Sequence, residues 1–124
     1  ALPNAINKQN VDKIRAKLIV EGANGPITAE ADEILYKKKI MIIPDILANA
    51  GGVVVSYFEW VQNRQGIKWS KEKVYNRADR AIQAAYDKAF EASKKYKTSM
   101  RIGAYIVALS RIASAYQASN TLKK

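Results

Sequence analysis

The sequence predicts an α/β fold in which two short parallel strands are followed by long helices. Two compact apolar runs, residues 17–21 and residues 40–43, are rich in branched side chains and stop abruptly at Gly22 and Pro44. Such runs are typical of buried strands. The segment between them has apolar residues at helical spacing, and a strand, helix, strand order is a βαβ unit with parallel strands. The chain after residue 52 shows helical patterns throughout.

Local signals place the elements of the first half. Asn7 offers a side-chain acceptor ahead of a first turn, so a short helix is predicted over residues 8–15. Thr28 is the predicted N-cap of the helix inside the βαβ unit, because acidic residues occupy the turn that follows it. Lysines at 37–39 favour the end of that helix. The second strand is a continuous apolar run, as expected for a strand covered on both faces.

Three helices are predicted in the second half. The first covers residues 52–65 and ends at Gly66, the second begins after Ser70, and the third begins after Ser99. Stripes of apolar residues at helical spacing predict the packing faces of the last two helices. These stripes are Val74, Ala78, Ala81, Ile82, Ala85 and Ala89 on one helix, and Ile102, Tyr105, Ile106, Leu109, Ile112, Ala113 and Tyr116 on the other. Residues 119–124 lose the periodicity and are predicted to fray.

The sheet that these residues would form is incomplete. Two strands are fewer than an independent open sheet needs, and no GxGxxG phosphate loop is present. The pattern therefore indicates the C-terminal part of a doubly wound, Rossmann-like dinucleotide-binding domain. Residues 1–65 would supply the βαβ unit and a pocket helix, and residues 66–124 a helical segment packed on them. The sheet edge beside the first strand is expected to be apolar and unpaired in isolation, or covered by chain outside these 124 residues.

Composition excludes several kinds of chemistry. The 124 residues include no Cys and no His, so thiolate zinc sites, cysteine nucleophiles, Ser-His-Asp hydrolysis and haem ligation through His are ruled out within this chain. No metal site is predicted. No apolar run approaches the ~20 residues of a membrane-spanning helix, and 48% hydrophobic residues suffice for a core. We expect a soluble, cytoplasmic protein that does not bind a membrane.

Positive charge is concentrated in the second half. Residues 1–65 carry 8 basic and 7 acidic side chains, whereas residues 66–124 carry 13 and 4. This excess is compatible with a basic helical module that binds nucleic acid or another polyanion. We favour a solvated helical face, because no nucleic-acid motif accompanies the charge and Arg101 and Arg111 lie about 80° apart around the last helix. A third interpretation is an assembly segment whose Ala-rich helices pack against sister subunits.

The residues that follow the two strands form the candidate ligand site. Ligands of doubly wound sheets bind beyond the carboxyl ends of the strands, and here residues 21–26 and 44–52 are rich in Gly, Ala and Asn. Gly lets a ligand approach the backbone, and Asn offers a donor and an acceptor together, which suits an amide or a ribose. Asn24 and Asn49 have a simpler alternative, since Asn often satisfies the backbone of its own turn. Asp45 is predicted to be a helix cap.

Three blocks of sequence carry a resemblance to a known family. They are VEGANGP (20–26), IPDILANAGGV (43–53) and VSYFEWVQN (55–63), in that order. Together with MR (100–101) and AYIVA (104–108), they closely resemble the C-terminal region of the glutamate dehydrogenases, within the wider superfamily of amino-acid dehydrogenases. The resemblance implies a two-domain enzyme, usually a homo-hexamer. Such an enzyme oxidatively deaminates L-glutamate to 2-oxoglutarate and ammonia and passes hydride to NAD or NADP.

The resemblance also implies roles for individual residues. The cofactor-binding residues that it implies are Ala1, Ala23, Asn24 and Asn49. The Asn49 amide would bind the nicotinamide carboxamide or its ribose. Val53 and Ser56 would line the pocket for the glutamate side chain, with the Ser56 hydroxyl on the distal carboxylate. Taken alone, a helical serine is more often solvent-facing or bonded back to its own helix.

No catalytic residue is assigned within the chain. In the family that it resembles, the catalytic lysine and the acid-base aspartate belong to the N-terminal domain. Glu59 is predicted to be a helix-surface or inter-domain contact, and Tyr57, Phe58 and Trp60 to be core or hinge packing. Lys39 departs from the glycine of many relatives at a turn. The 124 residues alone are therefore expected to be inactive, because the missing N-terminal part of the same polypeptide is a required partner.

Overall fold

The computed structural model describes the backbone of residues 2–121 and the side chains of residues 2–119. Two parallel strands are followed by long helices, which confirms the predicted fold class. The elements are β1 (Leu18–Val20), α1 (Ala29–Lys37), β2 (Met41–Ile43), α2 (Asp45–Ala48), α3 (Gly51–Gln65), α4 (Lys71–Lys95) and α5 (Met100–Thr121). No helix in the described range is long and apolar enough to cross a bilayer.

The strands β1 and β2 pair in parallel across the helix α1, which confirms the βαβ unit. Their register places Ile19 opposite Ile42. Thr28 caps α1 as predicted, because its hydroxyl accepts a hydrogen bond from the Ala31 amide at 3.3 Å. Lys39 lies in the turn between α1 and β2 with a φ of 58°. Glycine adopts this left-handed conformation most easily, so Lys39 holds a backbone conformation that a glycine would adopt with less strain.

The segment before β1 differs from the short helix predicted over residues 8–15. Only Val11–Lys13 is helical there, as a single 3-10 turn. The Asn7 side chain accepts a hydrogen bond from the Gln9 amide at 3.0 Å, and the Asn7 amide donates to the Asn10 side chain at 2.9 Å. Bonds between side chain and backbone stabilise turns in competition with an α-helix. The helix prediction is therefore wrong, and Asn7 organises a turn instead.

One core lies between α1, β2 and the segment that precedes β1. Its buried residues come from these three parts and from the connection between β1 and α1, which supplies Ile27; they are Val11, Ile27, Ala31, Leu35 and Ile42. Leu35 and Val11 are fully buried. This core fixes α1 against β2 and so determines where the turns that follow the two strands emerge.

A second core lies between the helices α4 and α5. Ser70 caps α4 as predicted, through a hydrogen bond from the Lys73 amide. The buried residues of this core are Leu47, Ala89, Met100 and Ala104. At Gly103 the two helices are so close that a Cβ atom would lie 2.4 Å from the Ala89 carbonyl oxygen. Since Leu47 belongs to α2, this core attaches the helical pair to the end of β2.

The strand β1 is not buried in the described chain. Leu18 and Val20 are 52% and 60% exposed, and within residues 2–121 β1 pairs only with β2. The prediction of a buried first strand is therefore wrong here, because no described residue covers these side chains. Met41 of β2 is also 40% exposed, whereas Ile43 on the same face is half-buried against the second core, so this face of β2 is only partly covered. The expected apolar, unpaired edge beside β1 is confirmed.

The helix α5 leaves most of its predicted stripe exposed. Among the stripe residues Ile106 is half-buried, and the exposed ones are Ile102, Tyr105, Leu109, Ile112, Ala113 and Tyr116. In α4, by contrast, only Ala81 of the predicted stripe is exposed. Because α5 stays helical through Thr121, the predicted fraying is wrong for residues 119–121, and residues 122–124 lie outside the described chain. An apolar surface thus runs along the outer side of α5.

Candidate functional site

The turns that follow β1 and β2 meet at the carboxyl end of the sheet. The Asn49 amide donates a hydrogen bond from Nδ2 to the Asn24 Oδ1 atom at 2.7 Å. Asn24 is exposed and Asn49 is half-buried, so the pair lies at the surface of this edge. Within residues 2–119 neither side chain bonds to the backbone of its own turn. The alternative that these asparagines serve only their turns is therefore not supported, and the two turns converge as predicted.

The amide pair keeps hydrogen-bonding capacity for a ligand. A side-chain amide has two N–H donors and a carbonyl acceptor, and the bond between Asn24 and Asn49 uses one donor and one acceptor. Among the described side chains, no further partner occupies either amide. The remaining Asn24 donors and the Asn49 oxygen can match a carboxamide or a ribose hydroxyl. This donor set fits the nicotinamide half of a dinucleotide.

Helical geometry extends this surface along α3. The N-cap Ala50 has helical backbone angles, and the Val54 amide donates to its carbonyl at 3.0 Å. Asn49, Val53 and Ser56 therefore follow one another at helical spacing on one side of the helix. Val53 is 74% exposed and Ser56 is exposed as well. The two predicted substrate residues thus lie on the same side of α3 as Asn49.

The Ser56 hydroxyl faces outward. Unlike Ser114, whose hydroxyl donates to the Ser110 carbonyl, Ser56 shows no bond back to its own helix among the described residues. The sequence alone allows two simpler interpretations of Ser56, a serine bonded back to its own helix and a solvent-facing serine. The structure excludes the first and is compatible with the second. Ala23 is half-buried beside Asn24, and Ala1 lies outside the described residues. The structure therefore joins Asn24 and Asn49 directly, with Ala23 next to Asn24 in the chain, and it places Val53 and Ser56 on one side of α3.

A buried ion-pair cluster, which sequence reasoning missed, lies beneath this edge. Arg101, in the first turn of α5, contacts three carboxylates that belong to Glu21, Asp32 and Asp45. The guanidinium holds Glu21 through two bonds, from Nη2 to Oε1 at 2.5 Å and from Nη1 to Oε2 at 2.9 Å. Glu21 is only 2% exposed. A signal was present in the sequence, because a cation in the first turn of a helix opposes the helix dipole unless acidic groups surround it.

The environment of Arg101 stabilises its charged form. Burial by itself disfavours the charge, but hydrogen bonds to Glu21 and Asp32 outweigh it and raise the pKa of Arg101 above its ordinary value. The guanidinium also bonds Asp32 from Nη2 at 3.0 Å and from Nε at 3.2 Å. Arg101 is thus a permanent cation inside this cluster, and it is engaged there rather than presented to a polyanion.

The prediction that Asp45 caps a helix is wrong, because the N-cap of α2 is Pro44; Asp45 instead joins the two turns. It is the first residue of α2, and its Oδ1 atom accepts from the Ile46 amide at 2.8 Å. Its Oδ2 atom accepts from the Gly25 amide in the other turn, also at 2.8 Å. The Asp45 amide donates to Glu21 Oε2 at 2.8 Å. The two turns are therefore joined by bonds in both directions, beside the Asn24–Asn49 pair.

The aromatic residues of α3 differ from their predicted packing. Tyr57 and Trp60 stack with ring centroids 5.9 Å apart, yet each is 58% exposed, so neither packs in a core of the described chain, and hinge packing stays a prediction for them. Phe58 is half-buried against Trp69, at 5.6 Å between centroids. Glu59 is exposed on the helix surface, as predicted. Among the described residues none of these side chains bonds to Asn24 or Asn49.

A cavity of about 560 Å³ lies elsewhere, between α1, β2 and the turn that joins α4 to α5. Tyr36, Met41, Phe90 and Lys97 are among its lining residues, and neither asparagine is. Among the described residues, no group of acidic side chains is arranged to hold a metal ion.

The parallel β1–β2 pair, joined through α1 and followed by turns that meet at its carboxyl end, is typical of part of a Rossmann-like α/β domain. Residues 1–119 match the family model described as Glutamate/Leucine/Phenylalanine/Valine dehydrogenase. The chain belongs to this family of amino-acid dehydrogenases.

Individual relatives agree with the family match. The glutamate dehydrogenase of Thermotoga maritima is 50% identical over 115 residues, which are 93% of this chain and 28% of that protein. The NAD-specific glutamate dehydrogenase of Staphylococcus aureus (strain COL) is 48% identical over the same shares of the two proteins. The crystal structure of glutamate dehydrogenase from Peptoniphilus asaccharolyticus superposes with a TM-score of 0.91 at 38% identity, covering 96% of this chain and 30% of that one. The chain thus spans less than a third of the length of these relatives.

Proposed function

We propose that this chain is the C-terminal part of a glutamate dehydrogenase and forms one wall of the cleft in which cofactor and substrate meet. The observation that carries the proposal is the Asn24–Asn49 bond at the carboxyl end of the sheet. The reaction would oxidise L-glutamate to 2-oxoglutarate and ammonia. Family membership and the glutamate dehydrogenases among the relatives support this substrate.

The cofactor is NAD or NADP, and it supplies the acceptor carbon for the hydride that leaves the substrate. Asn24 and Asn49 bind and orient its nicotinamide half through their remaining amide groups, and Ala23 lies against it. A relative named as NAD-specific supports a nicotinamide cofactor. Fixing the ring in this way contributes to the rate by orientation, because hydride transfer needs donor and acceptor carbons in register.

The substrate side of the wall is the exposed face of α3. Ser56 donates its hydroxyl hydrogen to the distal carboxylate of glutamate, and Val53 contacts the methylene groups of the side chain. A hydroxyl that donates to an anion is a short, charge-assisted contact. The exposure of both residues supports the proposal, because the substrate pocket would be closed from the opposite side by the rest of the polypeptide.

Catalysis needs groups that this chain does not supply. The resemblance assigns the catalytic lysine and the acid-base aspartate to the N-terminal domain, so we propose that the 124 residues alone are inactive. The exposed apolar surfaces of β1 and α5 would then be covered in the complete, hexameric protein. We also propose a cytoplasmic enzyme.

Replacing Asn49 with Ala in the complete polypeptide is expected to raise the KM for the cofactor about five- to tenfold. The change removes a hydrogen bond to the nicotinamide half, and a typical hydrogen bond contributes about 1 kcal/mol. Steady-state kinetics at saturating glutamate measure the effect. Asn63→Ala, on the exposed end of α3, is the matched control and should leave the cofactor KM unchanged. Equal KM values for the cofactor in the two variants would contradict the assignment of Asn49 to cofactor binding.

Replacing Ser56 with Ala is expected to raise the KM for glutamate about tenfold and the KM for the cofactor much less. Hydrogen bonds to charged groups contribute about 1.5–3 kcal/mol, of which water recovers part in the variant. The two KM values are measured separately, each with the other substrate saturating. Ser110→Ala on α5 is the control, since it removes a hydroxyl far along the chain from this edge. An unchanged glutamate KM in Ser56→Ala would remove Ser56 from the pocket.

A further inference from the structure

We infer that Arg101 is a positioning residue for the cofactor, acting through Glu21 and Asp45 on the two turns that present Asn24 and Asn49. The inference rests on the proposed function of the asparagine pair. It assigns to the first turn of α5 a part in cofactor binding, although Arg101 belongs to neither turn and lies in the last helix of the chain.

The contacts of Arg101 lead directly to both turns. Glu21 begins the first turn three residues before Asn24, and Asp45 begins α2 four residues before Asn49. The guanidinium grips both oxygens of Glu21, and its Nη1 atom also lies 3.4 Å from Asp45 Oδ1. One cation therefore contacts the first residue of each segment that leads to an asparagine.

Hydrogen bonds also join the two turns to each other. Glu21 Oε2 accepts from the Asp45 amide, and Asp45 Oδ2 accepts from Gly25, the residue next to Asn24. The carboxylates that Arg101 holds are thus the same groups that fix the spacing of the two turns. Because Asn24 and Asn49 project from these turns, their separation depends on the cluster beneath them.

The charges of the neighbouring carboxylates explain why an arginine is needed at position 101. Glu21, Asp32 and Asp45 bring three carboxylates to one partly buried place, and Arg101 is their cation among the described contacts. Without it the carboxylates repel one another at short range in a medium that screens poorly. The most direct relief is separation of the turns, since Glu21 and Asp45 stand on different ones. A lysine would restore charge but not the bidentate grip, because an ammonium is a point donor rather than a planar fork.

The test is a double-mutant cycle in the complete polypeptide. The variants are Arg101→Met, Arg101→Lys, Asn49→Ala and the combinations of each Arg101 variant with Asn49→Ala. Arg111→Met, which removes an exposed arginine further along the same helix, is the control. The readouts are the KM values for cofactor and for glutamate, with the cofactor Kd from the fluorescence of the reduced form.

Arg101→Met is expected to raise the cofactor KM and Kd at least tenfold, and Arg101→Lys about threefold. Both variants should change the glutamate KM less than twofold. In the Asn49→Ala background the same Arg101 substitutions should have a smaller effect on the cofactor KM and Kd, because one of the two asparagine contacts through which they act is already lost. A merely structural role would leave the effects additive and would change both KM values together. If Arg101→Met fails to fold, the Arg101→Lys cycle decides by the same criteria.

Two negative results have separate meanings. If Asn49→Ala weakens cofactor binding while folded Arg101 variants bind it normally, or with additive losses, the positioning inference is overturned and the proposed function stands. If Asn49→Ala leaves cofactor binding unchanged, the proposed function of the asparagine pair fails, and the inference fails with it.

Discussion

Replacing Leu35 with Ala is expected to lower the free energy of unfolding of this chain by about 2–5 kcal/mol. Leu35 is fully buried at the centre of the core that joins α1 to β2. The substitution removes three carbon atoms and leaves a cavity, and the neighbours that line it belong to separate segments. They cannot all move inward without disturbing the register of β2, so the cavity should persist.

Urea denaturation followed by circular dichroism measures this loss. The matched control is Leu109→Ala on α5, because Leu109 is 62% exposed and the same atoms are removed. An exposed substitution of this kind should change the free energy of unfolding by about 0.5 kcal/mol or less. Similar losses for the two variants would show that the core is not where the structure places it.

Replacing Gly103 with Ala is expected to lower the free energy of unfolding by about 1–3 kcal/mol, although alanine favours a helix by about 1 kcal/mol over glycine. The added Cβ would lie 2.4 Å from the Ala89 carbonyl oxygen and 2.9 Å from the Ser93 amide nitrogen. Both are backbone atoms of α4, so no side-chain rotation can relieve the contact. The two helices must separate, and the core around Ala89 and Ala104 loosens.

The control variant for this prediction is expected to change the free energy of unfolding in the opposite direction. A Cβ at Gly52, in α3, would meet no atom within 4 Å, and its φ is not left-handed. Gly52→Ala should therefore stabilise the chain by about 0.4–1 kcal/mol. The same urea titrations compare both variants. Stabilisation by Gly103→Ala would contradict the close approach of α4 and α5.

Elements whose signals are local could be predicted from the sequence. The caps Thr28 and Ser70 act on amides three residues away, and the apolar runs of β1 and β2 are contiguous. The convergence of Asn24 and Asn49 was also predictable, because parallel strands place their carboxyl ends at the same edge of a sheet. The site residues followed from the resemblance, and the strand rule explains why two of them meet.

Features that depend on distant partners could not be predicted. Arg101 bonds to residues 56, 69 and 80 positions away, so its place in the first turn of a helix indicates acidic partners, but no local pattern identifies them. The apolar stripe of α5 correctly predicted a helix, but it did not show which surface that stripe packs against. A turn forms at Asn7 instead of the predicted helix, because the side chains of Asn7 and Asn10 bond to nearby backbone amides. Capping preferences alone do not show whether such bonds or a helix will be more stable.

The central claim is that the turns after β1 and β2 form the surface on which a nicotinamide ring is held. A crystal structure of the complete polypeptide with NAD or NADP bound tests it most directly. The account predicts the carboxamide or its ribose within hydrogen-bonding distance of the Asn24 and Asn49 amides, with Ser56 on the adjoining side. A nicotinamide ring bound at any other surface, with the Asn24–Asn49 pair facing away from it, would contradict the account.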